Sequence, residues 1–334
     1  MANNATTLVP SPGLLVSIVS VAHNRRECVG ELLAALRRQT YPASEVILVD
    51  NDSTDGTADM VRTQYPEVKL IETGSNLGMV AYNLGFEAAQ GDYILVMDDD
   101  GLPGSDDWIA QVVRRFEANP CLGAVCCTVR MRDTRRVAHD SPQFVPEGDG
   151  SNGYPSVAYN GTGARLRAAA LRQGGYYPWH FNITYLELHL CTKLLEAGWQ
   201  VRHFPEIEVW HSRPSDSSDP PLSYHGLRNY YWYVWQFYPW PQVMGETLHS
   251  LRWNAKLMAQ KEIPVKRFWR ATRDALAGAK RSFSQRRPIS AGTLTYMRWV
   301  RRHGNWHHLT PEAVRFADGY ASLIEASKPL QEDR

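Results

Sequence analysis

The chain has 334 residues, 43% of them hydrophobic and 21% charged, a balance that suits an ordinary folded protein and excludes disordered, collagenous and disulfide-scaffold classes. Its net charge is +1, but residues 251–302 hold 14 Lys and Arg against two acids, Glu262 and Asp274; this local excess of +12 leaves the rest of the chain at −11. No apolar run approaches the ~18 residues that a membrane-spanning helix needs, and residues 1–7 lack the basic and apolar regions of a secretory signal.

In chain order, apolar β-rich runs at 16–21, 46–49, 68–71, 93–97 and 123–127 read as strands. Amphipathic segments at 27–38, 57–64, 80–89 and 108–118 read as helices between them. Such alternation implies crossover connections, hence an α/β fold with a mostly parallel sheet flanked by helices. Residues 129–156, rich in Asp, Arg, Pro and Gly, read as an irregular excursion. Further on, helices are expected at 224–237, 243–260, 265–284, 294–303 and 311–326, a helical C-terminal region dense in Trp and Tyr. Five scattered cysteines (Cys28, Cys121, Cys126, Cys127, Cys191) show no metal-type pairing and read as reduced thiols, so a cytoplasmic location is expected.

In open α/β sheets ligands sit beyond the carboxyl ends of the strands, and three polar clusters fall there. They are Ala22-His23-Asn24-Arg25, the run from Asp50 through Asn51 to Thr57, and Asp98-Asp99-Asp100-Gly101. Alternation along an extended chain lets Asp98 and Asp100 project together while Asp99 turns away. Two carboxylates so placed suit a hard divalent cation that shares its remaining positions with phosphates. A solvated acidic turn ahead of a helix starting near Ser105, Asp106 and Asp107 explains the same residues. Asp50 can accept from a base imide or a ribose hydroxyl, while Ser53, Thr54 or Asp55 caps the next helix. Gly78, in Asn76-Leu77-Gly78, permits positive φ or close backbone approach, as a plain turn would also require.

Taken together, Val19-Ser20-Val21-Ala22-His23-Asn24-Arg25, Val49-Asp50-Asn51-Asp52-Ser53, Asn76-Leu77-Gly78, Asn83-Leu84-Gly85 and Asp98-Asp99-Asp100 resemble family 2 glycosyltransferases of the GT-A fold in order and spacing. The resemblance extends through the run from Tyr159 to Tyr176 and the strand His203 to His211, covering about residues 15–215. Arg228-Asn229 adds a weaker likeness to rhamnosyl- and galactofuranosyl-transferases. The resemblance implies a nucleotide-sugar-binding half at 12–128, an acceptor-binding and catalytic half at 129–215 and the helical region at 216–334. It places Ala22, Asn24, Arg25, Asp50 and Asn51 at the nucleotide sugar, with Asn76, Gly78, Asn83, Asp98 and Asp99. Asp100 and His211 are implied as ligands of Mg2+ or Mn2+.

One departure concerns the catalytic helix, where the family carries Glu-Asp ahead of Asp-Leu and this chain has Leu186-Glu187-Leu188-His189-Leu190. Aligned through Leu190, Glu187 takes the position of the catalytic aspartate and can serve as general base, being one methylene longer. His189 is the second candidate. A surface helix acid and a buried helical histidine are the structural explanations of the same two residues. The expected reaction is inverting transfer of a hexosyl or deoxyhexosyl group from a UDP- or dTDP-sugar to a hydroxyl acceptor, which is a glycan, a lipid-linked acceptor or a small molecule. Two alternatives stay open: a nucleotidyltransferase, disfavoured by the absence of glycine in Ala22-His23-Asn24-Arg25-Arg26, and a silent sugar-nucleotide-binding protein. No nucleic-acid module accompanies the basic region. A solvated face, peripheral contact with anionic membrane, or a homodimer interface explains its charge and aromatics, with Arg267, Arg270, Arg273, Lys280 and Arg281 sharing one helical face.

Overall fold

The computed structural model describes residues 13–138, 152–212 and 223–303. Strands β1 (Val16–Ala22), β2 (Ser44–Asp50), β3 (Lys69–Glu72) and β4 (Tyr93–Val96) alternate with helices α1 (Arg26–Leu36), α2 (Thr57–Gln64) and α3 (Tyr82–Ala88). They pair in parallel in the order β3-β2-β1-β4, as the alternating pattern predicts. The helix expected at 80–89 begins earlier, as a 3-10 turn at Gly78–Ala81.

The chain then adds β5 (Gly101–Pro103), α4 (Trp108–Ala118), β6 (Leu122–Met131), β7 (Tyr154–Pro155), β8 (Arg165–Arg167), α5 (Ala168–Gly174), α6 (Leu186–Glu196) and β9 (Gln200–His211). The full sheet runs β3-β2-β1-β4-β8-β6-β9-β5, with β7 also on β9. β6 therefore does not join β4 directly; three-residue β8 slots between them, antiparallel to both. The excursion expected from residue 129 starts later, because β6 continues along β9 to Met131.

Alternate strand residues feed two cores. Ile18, Leu48, Leu95, Val125 and Cys127 face α1, α2 and α4 through Leu32, Val61 and Val112. Val19, Ile47, Ile94, Val96, Ala124 and Cys126 face the other side, packing with Tyr82, Phe86, Leu171 and Leu190. That second core extends into α7 (Tyr224–Phe237), whose Tyr231 to Trp235 are all buried. Helices α8 (Trp240–Ala259), α9 (Val265–Ala277), α10 (Ala279–Ser284) and α11 (Ala291–His303) complete the C-terminal region.

The single helix expected at 265–284 is two helices. Trp232 of α7 donates its indole N–H to the carbonyl of Ala275 at 2.9 Å. Its ring lies so close to Gly278 that a Cβ there would stand 2.5 Å from Cζ2. The basic face proposed for that helix is accordingly divided, and Arg270 and Arg273 both pair with Asp274 (4.0 and 2.9 Å). The helix expected at 311–326 and the boundary at 215/216 lie outside the described residues.

Candidate active site at the carboxyl rim of the sheet

Parallel register sets Ala22 beside Asp50, so β1 and β2 end together, and β4 ends on the other side of β1. The loops that follow are tied by side chains. Asn24, at φ 54°, accepts the Thr54 N–H on its Oδ1 (2.7 Å) and donates its backbone N–H to Ser53 (3.0 Å). Asp55 accepts the N–H of Arg26 (2.9 Å) and of Thr57 (3.0 Å), opening α1 and α2 with one carboxylate. Capping thus falls to Asp55. Asp50 is buried, and its Oδ1 has no hydrogen-bond partner. A buried acceptor left so costs about 1–3 kcal/mol unless a donor arrives, which makes Asp50 Oδ1 a position for a ligand N–H or O–H.

Ala22 and Asn51 act through the backbone and a clamp. The Ala22 carbonyl accepts the Asn51 N–H (2.8 Å). The Asn51 amide accepts the Leu77 N–H (2.9 Å) and donates to Gly78 O (3.2 Å) and Asn76 Oδ1 (3.1 Å). Gly78 sits at φ 72°, and a Cβ on it would lie 1.9 Å from Asn182 Oδ1, so only glycine fits between the two loops.

Asp98 and Asp100 do come together, but through a turn closed by the Gly101 N–H on the Asp98 carbonyl (2.9 Å) and not through extended alternation, since β4 ends at Val96. Asp98, Asp100 and His211 each offer a ligand atom, all within 4.8 Å of one another. His211 arrives because β5 pairs antiparallel with the end of β9, setting Gly101 opposite His211. Its Nε2 lies 3.0 Å from Asp100 Oδ1 and 3.8 Å from Asp98 Oδ2. Tyr82 donates to Asp98 Oδ1 at 3.0 Å and Thr162 donates to Oδ2, so both oxygens are oriented from behind. Arg25 reaches toward Asp100, with Nη1 3.8 Å from Oδ2. Burial pushes Asp98 upward, opposed by the Thr162 hydrogen bond and the His211 charge. Asp99 is pushed up to about 7 by burial and by the two neighbouring carboxylates. Two carboxylates and one imidazole with fixed orientation form a donor set that fits Mg2+ or Mn2+, and Asp98 joins the two ligands expected from the sequence.

Glu187 lies in the first turn of α6. Its Oε1 is 3.2 Å from where a Cβ on Gly161 would stand, and the next residue, Thr162, holds Asp98. The 161–162 segment thus meets the Glu187 carboxylate at Gly161 and the acidic cluster at Thr162. Two expected site residues are placed elsewhere. Asn83 is fully buried and spends both ends of its amide on the backbone of Tyr177 (2.9 Å each). His189 is packed against Phe181 and Phe237, with Nε2 2.9 Å from Gln236 Oε1, and burial holds it well below the usual imidazole range. Its setting is the α6–α7 interface, so it is a core histidine and not a group open to an acceptor. Thr162 and Tyr82 carry no sequence signal beyond lying beside Gly163 and Asn83; tertiary pairing alone brings them to Asp98.

A family model described as glycosyl transferase family 2 matches residues 17–180. N-acetylglucosaminyl-diphospho-decaprenol L-rhamnosyltransferase of Mycobacterium tuberculosis is 25% identical over 250 residues, covering 63% of this chain and 80% of that protein. Among solved structures, TarS 1–349 of S. aureus in complex with UDP-GlcNAc aligns with a TM-score of 0.58 at 14% identity, over 96% of this chain and 94% of that one. The mannosyltransferase PcManGT of Pyrobaculum calidifontis, in complex with GDP-Man and Mn2+, aligns with a TM-score of 0.52 at 19% identity, over 98% and 91%.

Proposed function

The chain belongs to the family 2 glycosyltransferases, built on the GT-A fold and taking nucleotide sugars as donors, and from that premise we propose that it transfers the sugar with inversion, using Glu187 as general base. The observation that carries this reading is the Asp98, Asp100 and His211 cluster at the carboxyl rim with Glu187 across the 161–162 turn. Asp50, with its unpartnered oxygen, accepts from the base, and Asp98 accepts from a ribose hydroxyl. Asp100 and His211, with Asp98, would hold Mg2+ or Mn2+. When bound, that ion neutralises charge on the departing diphosphate. Arg25, half-exposed beside Asp100, adds a second positive group there. Glu187 takes the proton of the acceptor hydroxyl as it attacks the anomeric carbon, and one in-line displacement inverts configuration with no covalent enzyme intermediate.

The test is Glu187→Gln. Turnover should fall about 10²–10⁴-fold, the range for a lost general base, while affinity for the nucleoside diphosphate stays near wild type. Wild-type turnover in that variant would place the base elsewhere. Binding of UDP without any turnover in the wild-type protein would favour the silent reading instead.

The acceptor is proposed to be presented at an anionic membrane surface. Among the described residues no helix is long and apolar enough to cross a membrane. Along α8, however, Trp240, Met244, Leu248 and Leu251 are exposed at spacings of three and four, and Val265, Trp269 and Leu276 are exposed along α9. Leu251 and the α9 residues lie in the 251–302 segment that carries 14 Lys and Arg, and the rest of the α8 stripe directly precedes it. Aromatic and aliphatic side chains flanked by cations suit an anionic lipid interface. On this reading the protein is a peripheral one, meeting the membrane from its cytoplasmic face.

A further inference from the structure

The segment leading into α6 follows an unusual backbone path. Asn182, Thr184 and Tyr185 all take positive φ (67°, 63° and 64°), a left-handed conformation that is uncommon for non-glycine residues and unfavourable for β-branched threonine. Tyr185 is the N-cap of α6, and no side chain caps that helix end. Glu187 follows two residues later. Such a path persists only where surrounding groups over-determine it.

Those groups come from α7. Asn229 is fully buried. Its amide nitrogen donates toward the carbonyls of Phe181 (3.0 Å), Ile183 (2.7 Å) and Thr184 (3.1 Å), with the Thr184 hydroxyl at 3.4 Å. Its own Oδ1 accepts from Arg228 Nε at 3.0 Å, and Arg228 Nη2 donates to Phe181 O at 3.1 Å. The Arg228 guanidinium in turn rests 4.3 Å from the Trp232 ring centroid. On the other side Asn182 presses against Gly78, whose loop is tied to Asn51 next to Asp50. One amide in α7 thus fixes the turn that positions the first residues of α6, and that turn also touches the loop beside the nucleotide-facing Asp50.

We propose that Asn229 is a positioning residue, holding the left-handed 182–185 turn so that the Glu187 carboxylate stands at the 161–162 turn. The proposal rests on the reading of Glu187 as the base. Displacing a reacting group by about 1 Å can cost on the order of 10²-fold in rate, so the clamp should appear in turnover before it appears in binding.

The experiment compares wild type with Asn229→Asp, which keeps the shape but removes the N–H donors, and Asn229→Ser, which retains one donor if the first variant folds poorly. kcat and donor KM come from nucleoside diphosphate release, UDP affinity from calorimetry, and amide hydrogen exchange is read across 181–190. The expected result is a fall in kcat of about 10–100-fold, with donor KM and UDP affinity within twofold. Exchange protection should be lost in 181–190 and kept in the sheet. Adding Thr184→Gly, which tolerates positive φ, to Asn229→Ser should recover part of the lost kcat. A folded variant with wild-type kcat, a uniform loss of protection throughout the protein, or no recovery with Thr184→Gly would overturn the proposal. Were the wild-type protein to release no nucleoside diphosphate from any donor, the reading of Glu187 as the base would fail; unchanged exchange in 181–190 of the variants would sink the clamp separately.

Discussion

His203 on β9 is buried, and neither ring nitrogen has a hydrogen-bond partner. Burial, reinforced by the nearby Arg165 charge, pushes its pKa from 6.5 down to about 3. Between those values the unfolded chain binds a proton that the folded protein refuses. Its contribution to stability is therefore complete above pH 6.5 and is lost as pH falls toward 3, with a limiting slope of about 1.4 kcal/mol per pH unit. His180, pushed down to about 4 chiefly by burial, acts in the same direction. Denaturant unfolding at pH 7 and pH 5 should show His203→Leu losing less stability on acidification than wild type; identical losses would mean that His203 is not a buried neutral group. At the rim, a site of two carboxylates and an imidazole predicts that Mn2+ and UDP bind cooperatively. Calorimetry should show UDP affinity falling at least tenfold in chelator and in Asp100→Ala, and metal-independent affinity would reduce the triple aspartate to an acidic turn. These rim acids are legible in the sequence because parallel strands end in register and deliver their following residues to one edge. Thr162 and Tyr82 are not, because their approach to Asp98 depends on pairing between distant segments.

Elements buried on both faces announce themselves as continuous apolar runs, which is why β1, β2 and β4 stand where the sequence puts them. β5, β7 and β8, at two or three residues each, are too short to show any period. Their existence follows from neighbours: β8 is a strand because β4 and β6 leave a gap that it closes. The division of α9 from α10 was equally hidden, since Gly278 inside a helical pattern reads as a tolerated glycine. Here helix propensity and packing make opposite predictions for Gly278→Ala. Propensity alone would stabilise by about 1 kcal/mol. The Trp232 ring, with three atoms 2.5–2.7 Å from the added carbon, predicts destabilisation by about 1–3 kcal/mol. Urea unfolding decides by the sign: a more stable variant would show that Trp232 yields and does not cause the helix break.

Across the whole molecule, a GT-A sheet carries the acidic rim while the basic, aromatic helices at the other end of the sequence offer an exposed apolar stripe. Each Lys or Arg near an anionic surface contributes about 1 kcal/mol and is screened by salt. Sedimentation with phosphatidylserine-containing vesicles should therefore succeed at low salt and fail at high salt, and Met244→Glu with Trp269→Glu should abolish it. Vesicle-independent dimers lost in the same variants would assign the stripe to a second copy of the chain. That outcome would leave the chemistry untouched, because the transfer reading rests on the rim and on Glu187. Its most direct test is incubation with UDP- and dTDP-sugars, Mn2+ and hydroxyl acceptors, with products followed by NMR. The expected products are the nucleoside diphosphate and a glycoside whose anomeric configuration is opposite to the donor's. Retained configuration, or release of pyrophosphate, would contradict it.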